Sequence, residues 1–318
     1  ASQLFAVSAV LGAVLNAAFI GVVESLSLAA MVRFMVGLCL AGIYPLGMKL
    51  VVSWTPRHAG SALGWLVGML TLGIASPHLL RGVTLHLPWQ WPLLLSSVLA
   101  LLAALLILRL GTGPHLPAKA SAGRPWAGLA AFKQKAFRAA SLGYFGHCWE
   151  LYALWALVPL LVARELERLS AAASLQPWLS FAVIALGLPG CVLAGRWSRR
   201  IGSAKVAFVA LAVSGTLCLL YPLLAGLSPG FLLALLALWG ISVIADSAQF
   251  SALASASAPP ERLGAALAMM NAIGFALTIP SIALVTSLWE SQGPWVTWWL
   301  LPGPVVGLLT MRGLRTHS

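Results

Sequence analysis

Charged residues are scarce in this chain, and acidic ones are the scarcest. Only 8% of the 318 residues are charged, with 19 Lys and Arg against 7 Asp and Glu, while 60% are hydrophobic and the mean hydropathy is +0.95. Ordinary soluble domains carry about 25% charged residues. The composition therefore excludes a soluble domain and predicts a membrane protein.

Cysteine pairs and catalytic motifs are also missing. The four cysteines lie inside apolar segments and show no CxxC spacing, which excludes a disulfide framework or a zinc site of that type. We interpret them as small core residues. No nucleophile, metal cluster or phosphate-binding loop accompanies the ionisable residues, so we predict neither an enzyme nor a cofactor.

The start of the chain lacks a basic leader and an initiator Met. Residues 1–23 have no basic region and no cleavage-like end, and they are long enough to span a bilayer, so they are not a signal peptide. We expect a truncated start.

Long apolar segments dominate what remains. Each is near the roughly 20 residues that a transmembrane helix requires. Ten such segments are predicted, at 3–23, 28–52, 61–80, 90–110, 139–163, 177–195, 205–226, 229–254, 264–288 and 294–311.

The basic residues lie mainly in alternate gaps between these segments. Basic loops stay on the cytoplasmic side, so we place these gaps, the 112–137 region and the C-terminus in the cytoplasm. This topology explains the net charge of +12 without nucleic-acid binding. The cytoplasmic set is Arg57, Arg109, Lys119, Arg124, Lys133, Lys135, Arg138, Arg196, Arg199, Arg200, Lys205, Arg262, Arg312 and Arg315; the opposite set is Arg81, Arg164 and Arg168.

The longest polar stretch divides the chain. Residues 112–137 are rich in Pro, Gly and basic residues, so we predict a cytoplasmic linker between an incomplete four-helix bundle, 1–111, and a six-helix bundle, 138–318. Six plus six helices with the first two missing is the simplest account of this uneven division.

Three stretches carry motifs. The second segment contains Arg33, Gly37 and a Tyr44–Pro45 pair, and the third has a Gly/Pro pattern. After the sixth segment, a predicted cytoplasmic loop reads GRWSRRIG, which is similar to a Gly-x-x-x-Asp-Arg-x-Gly motif but lacks its aspartate. The motif residues are Gly37, Gly64, Gly73, Pro77, Gly195, Arg196, Arg199, Arg200 and Gly202.

In order and in membrane side, these motifs resemble the major facilitator superfamily. The fifth and eighth segments resemble a bacterial subgroup that is either nitrate/cyanate-permease-like or uncharacterised, which implies a bacterial inner membrane. The resemblance implies an all-α polytopic bundle, here helices 3–12 of a twelve-helix fold. It also implies a monomer in the lipid bilayer that carries a small solute.

Ionisable groups inside a membrane are costly and are therefore candidates for function. His147 and Glu150 lie three residues apart on one face of a helix, where a His beside a carboxylate can exchange protons near neutral pH. The alternatives are a pair that only ties helices together, or a metal site with Cys148, which we disfavour because no second ligand pair is visible. Asp246 and Gln249 repeat the spacing in the eighth segment. Asp246 is predicted to bind a proton or cation, to pair with a base, or to cap a kinked helix.

Arg33 and Lys49 lie in or beside the second segment. Both side chains could reach the interface, and Arg33 could equally face the cavity. If both face the cavity, they favour an anionic solute. Tyr44, Tyr152 and Trp155 are further candidates for its lining.

We therefore predict secondary active transport of a small solute by alternating access, with proton coupling and symport. The resemblance implies His147, Glu150, Asp246 and Arg33 as the main cavity residues. A non-transporting sensor and an inactive fragment are the alternatives.

Overall fold

The described chain is helical throughout. The computed structural model describes residues 1–54, 59–115 and 125–312, and these ranges contain no strand. Apolar segments adopt helices because a helix satisfies its backbone polar groups internally, where no water is present. The helices are α1 Ser2–Ala18, α2 Leu26–Ala41, α3 Tyr44–Trp54, α4 Ala59–Val83, α5 Gln90–Leu110, α6 Lys135–Arg168, α7 Gln176–Ala185, α8 Gly187–Ile201, α9 Ser203–Leu223, α10 Pro229–Val243, α11 Ser247–Ser257, α12 Leu263–Gln292 and α13 Pro302–Met311.

These helices make nine stretches long and apolar enough to span a membrane within the described ranges, and the last, Leu263–Met311, has 49 residues. This stretch folds back on itself. A Cβ on Gly274 of α12 would meet Tyr144 and Cys148 of α6, and Gly303 of α13 lies against Gly146 on the same part of α6. Both halves of the stretch therefore pass the same level of α6, which agrees with the ten predicted segments.

Three spans are discontinuous. The second contains α2 and α3, the sixth contains α7 and α8, and the eighth contains α10 and α11. Pro45 and Pro189 lie in the first turns of α3 and α8, where a missing N–H is tolerated. The break at 244–246 has no proline; tight backbone bonds from Ala245 to Ser242 and from Ser247 to Ile244 replace the helical ladder there.

Helices α4, α6, α9 and α12 continue through Pro77, Pro159, Pro222 and Pro280. One prediction about local structure is wrong. The predicted loop at Gly195–Gly202 is largely the end of α8, which continues to Ile201. Arginine favours helices, and its long side chain can reach water from a helix end. Gly202, at φ +88°, then ends the helix.

The chain forms two compact units. Unit 1 comprises Ala1–Leu66 and Ser76–Lys119, and unit 2 comprises Val67–Ala75 and Ala120–Ser318. In unit 1, Ala6, Ala9 and Ala13 are buried on α1, which packs on α5 and α2. Small residues at this spacing allow close helix packing in membranes.

In unit 2, α6 is the central helix and packs against α7, α10, α11, α12 and α13. Its spanning window is 67% buried, whereas that of α5 in unit 1 is 11% buried. Gly146 on α6 faces Gly303 on α13, and Gly307 of α13 lies beside the Gly143 backbone, so the two helix backbones approach closely at these positions. This close contact fixes the position of the residues that follow Gly146 on α6.

Candidate functional site

Two carboxylates and one imidazole are buried together in unit 2. His147 and Glu150 lie near the middle of α6, and Asp246 lies at the break between α10 and α11. Their exposed fractions are 2%, 1% and 1%. Asp246 is the only aspartate in the chain. Since buried ionisable groups are costly in a membrane, this cluster is the candidate functional site.

His147 contacts Asp246 rather than Glu150. Its Nδ1 atom lies 2.7 Å from Oδ1 of Asp246, a distance typical of an ion pair, although the angles are not those of a hydrogen bond. The contact becomes a true ion pair when the imidazole is protonated. Asp246 stands at the N-cap of α11 but makes no side-chain cap hydrogen bond. Of the alternatives for Asp246, the structure shows contact with a base across the bundle.

Glu150 is held by neutral donors from α9 and α10. Its Oε2 accepts a hydrogen bond from the Ser214 hydroxyl at 3.0 Å. Its Oε1 accepts from the Trp239 indole N–H at 2.9 Å and from the Cys218 thiol at 3.3 Å. No Lys, Arg or His lies within ion-pair distance of Glu150 in the described ranges.

The two oxygens of Glu150 differ in what their partners can do. An indole N–H can only donate a hydrogen bond, whereas a hydroxyl can donate or accept. The Ser214 Oγ atom also lies 3.4 Å from the Leu211 carbonyl oxygen, so the hydroxyl hydrogen has a second acceptor. Oε2 can therefore carry a proton and donate it to Ser214, while Oε1 keeps the Trp239 hydrogen bond. The site accommodates both the charged and the neutral carboxyl group.

Ser214, Cys218 and Trp239 were not predicted as site residues. Serine and cysteine are common in membrane helices and carry little signal. Trp239 does carry a signal in the sequence, because it lies within α10, whereas tryptophans of membrane proteins concentrate at the interfaces.

The other predicted residues of unit 2 lie on α6 and α11. Gln249 is buried, and its backbone N–H donates to the Asp246 carbonyl at 3.0 Å. The Tyr152 ring makes edge contacts with Trp155 and Phe275, at centroid distances of 5.2 and 5.7 Å. Trp155 is buried and Tyr152 is half-buried.

Arg33 belongs to a separate polar cluster in unit 1. Its Nη1 donates to Asn16 Oδ1 at 2.8 Å, and its guanidinium carbon lies 3.8 Å from the centre of the Phe19 ring. The Asn16 amide donates in turn to the Leu93 carbonyl and the hydroxyls of Ser96 and Ser97. Asn16 thus joins α1 and α5, as expected of a polar residue in an apolar helix. Tyr44 is half-buried and Lys49 is exposed.

The predicted motif glycines differ in their surroundings. A Cβ added to Gly37, Gly64 or Gly195 would meet no atom within 4 Å in the part of the chain that the structure describes. Gly73 and Pro77 lie inside the continuous α4. Arg196, Arg199 and Arg200 are exposed at the end of α8. Among the described residues, no three His, Cys, Asp or Glu side chains are grouped so that they could hold a metal ion.

Comparison with known proteins gives one family and a set of related folds. Residues 2–281 match the family model described as Major Facilitator Superfamily. No curated protein sequence matches the chain significantly.

Solved structures resemble the chain over almost its full length. FucP in the outward conformation gives a TM-score of 0.65 at 16% identity and covers 99% of this chain and 84% of its own. A variant of the E. coli fucose:proton symporter FucP gives 0.63 at 15%, with 99% and 84% covered. A bacterial homologue of the iron transporter ferroportin, outward-facing, gives 0.64 at 14%, with 99% and 83% covered. At these identities the likeness shows the fold alone.

Proposed function

The chain belongs to the Major Facilitator Superfamily, and from that premise we propose that it moves a small solute across a membrane by proton-coupled symport. A multi-pass membrane transporter, and not an enzyme, is what this family and fold imply. The proposal adds the coupling ion, the residues that carry it, and the nitrate/cyanate-permease-like subgroup.

The observation that carries the proposal is the hydrogen bonding of Glu150. A carboxylate kept only for packing would be expected to have a cationic partner, because an uncompensated buried charge is costly. Glu150 instead has three neutral donors, one of which can reverse its hydrogen bond. This arrangement fits a group that gains and loses a proton during the transport cycle.

His147 and Asp246 form the second proton-binding element. The pair is most strongly attracted when the imidazole is protonated and the carboxylate is charged. The break at 244–246 places Asp246 where α10 ends and α11 begins. Broken helices near the membrane midplane are a common setting for substrate and ion sites in transporters.

For the solute we propose a small anion. The Arg33 guanidinium contacts a neutral amide and an aromatic ring, and none of the three ion pairs among the described residues includes it. Its positive charge is therefore not neutralised by a carboxylate. Lys49 is the second candidate cation, and Tyr44, Tyr152, Trp155 and Gln249 are candidates for the lining.

The proposed cycle follows from the two halves of the chain. Residues 1–111 and 138–318, joined by the linker 112–137, would move against one another in alternating access. We place the linker and the C-terminus in the cytoplasm of a bacterial cell, with the chain as a monomer in the inner membrane, because the basic residues favour that side.

The test uses proteoliposomes that enclose a pH-sensitive dye. Nitrate, cyanate, small carboxylates and a neutral sugar are added outside in turn. We expect an anion gradient to acidify the interior, and Glu150→Gln to abolish this acidification while exchange of labelled solute across the membrane continues. Glu290→Gln, which alters an exposed acid of α12, is the matched control.

Three results would overturn parts of the proposal. Solute entry without proton movement would exclude symport, and proton movement driven by the neutral sugar alone would exclude the anion. Full proton movement in Glu150→Gln would exclude Glu150 as the coupling group.

A further inference from the structure

The end of α8 carries a dense basic surface. Arg196, Trp197, Arg199 and Arg200 are all exposed, with Trp197 at 58%, and together with Leu193 they line a shallow cavity. We call these five residues the α8 basic end. We propose that the α8 basic end binds the phosphate group of an anionic phospholipid in the leaflet that it faces.

The first support is uncompensated charge. All seven acidic residues of the chain lie in the described ranges, and none of them pairs with Arg196, Arg199 or Arg200. The motif has no aspartate here, and Ser198, the polar residue between these arginines, donates its hydroxyl to the Gly195 carbonyl at 3.1 Å and so supplies no negative charge. Three positive charges are left for an external anion.

Unit 2 contains a contrasting pair of arginines. Arg164 and Arg168, at the other end of the bundle, both contact Glu165, and they also donate to backbone carbonyls of residues 225–227. These two arginines are engaged in holding a loop. The arginines of the α8 basic end are arranged differently, since no carboxylate or carbonyl of the described chain engages them.

The second support is the spacing of the side chains. Arg196, Arg199 and Arg200 lie three and four residues apart, which brings them to neighbouring positions on one face of the helix. Guanidinium groups bind phosphate oxygens through paired N–H donors, so three of them can surround one phosphate.

The third support is the apolar part of the same face. Leu193 and Trp197 alternate along the face with Arg196 and Arg200, at i, i+3, i+4 and i+7. Leu193 is 50% exposed. Tryptophan favours the headgroup level of a membrane. A phospholipid has the matching pattern, with an anionic headgroup above an apolar chain, whereas free phosphate would make no use of the leucine and tryptophan.

The experiment measures lipid retained by the purified full chain with native mass spectrometry. Phosphatidylglycerol and phosphatidylcholine are offered in equal amounts, with and without millimolar inorganic phosphate. We expect retention of phosphatidylglycerol, little displacement by phosphate, and a roughly 100-fold weaker association in Arg196→Gln/Arg199→Gln/Arg200→Gln, since each basic residue contributes a factor of about five near an anionic surface.

Two variants separate recognition from a general effect of charge. Arg109→Gln removes an exposed arginine from the last turn of α5, where it has no second arginine beside it, and we expect no change in lipid retention. Arg196→Lys/Arg199→Lys/Arg200→Lys keeps the charge and the orientation of the chain should the Gln variant fail to insert. It should bind several-fold more weakly, because lysine lacks the planar fork.

Other outcomes overturn the inference. If both lipids are retained equally, or if Arg109→Gln loses as much phosphatidylglycerol as the triple Gln variant, these arginines would only set the orientation of the chain in the membrane. Complete displacement by inorganic phosphate would make the surface a site for small anions instead of a lipid site.

Discussion

Polar side chains are held differently in the two units. In unit 1, Arg33 and Asn16 form a partly exposed cluster that links α1, α2 and α5. In unit 2, Glu150 and the His147–Asp246 pair are almost wholly buried, and their partners come from several helices around α6. When a buried polar group loses its partner, it is left without a hydrogen bond, whereas a partly exposed group can bind water or lipid headgroups instead. The proposed proton binding therefore belongs to unit 2, and the two units are expected to respond unequally to mutation.

The largest effect is expected where backbones touch. Gly146→Leu places a side chain against the Gly303 carbonyl and should destabilise the protein by about 3 kcal/mol or more, because neither backbone can yield without moving α13. Gly37→Leu in α2 points into open space and should leave stability unchanged or raised. Thermal unfolding in detergent measures both. Equal melting temperatures would show that the α6–α13 contact does not hold unit 2 together.

The next effect concerns the buried pair. Asp246→Ala leaves His147 without its carboxylate and should cost about 2 kcal/mol, the cost of an unsatisfied buried polar group. Arg33→Gln in unit 1 should cost less than about 1 kcal/mol, because that cluster is partly exposed. The same unfolding assay compares them. A larger loss in the Arg33 variant would reverse the contrast between the units.

A smaller effect is expected from one donor to Glu150. Trp239→Phe keeps the buried ring but removes its N–H, so it should cost about 1 kcal/mol. It should also change the pH at which solute-driven proton movement is half-maximal, since the N–H stabilises the charged carboxylate. The control is Trp298→Phe, which removes an exposed indole hydrogen bond to the Leu219 carbonyl. An unaltered pH profile in Trp239→Phe would exclude an effect of the Trp239 N–H on proton binding by Glu150.

The smallest effect tests whether all of unit 2 behaves alike. Arg168→Gln removes one of two partly exposed arginines from the buried Glu165, and Arg164 stays in place. We expect a loss below about 1 kcal/mol that shrinks further in high salt, because Arg164 still compensates the carboxylate. A loss as large as that of Asp246→Ala would mean that Arg164 alone does not compensate the buried charge.

The sequence predicted the spans well and the partners of the site poorly. Apolar length is a property of composition, so all ten segments could be located. Spacing of three residues put His147 and Glu150 on one face, but it does not say which helices stand opposite. His147 and Glu150 therefore have different partners. Asp246, the partner of His147, lies at a helix break that the sequence does not mark with a Pro or Gly.

Some of the close packing could not be foreseen either. A Cβ on Gly187 would meet Ile244, and a Cβ on Gly190 would meet Ile241, both in the broken eighth span. The contact of Gly146 with Gly303 depends on the reversal between α12 and α13, which brings together residues distant in sequence. Single glycines in a glycine-rich chain do not reveal that reversal.

The partners of Glu150 also bear on how the protein is made. Ser214, Cys218 and Trp239 follow it by 64, 68 and 89 residues, so α6 leaves the ribosome well before its carboxyl group has any donor. A carboxyl group without a hydrogen-bond donor is energetically costly at the middle of a span that contacts lipid. During synthesis α6 must therefore stay beside the insertion machinery until α10 has been made, or enter the membrane with Glu150 protonated and neutral. A nascent chain arrested between α9 and α10 would leave α6 the most easily extracted of the helices made so far.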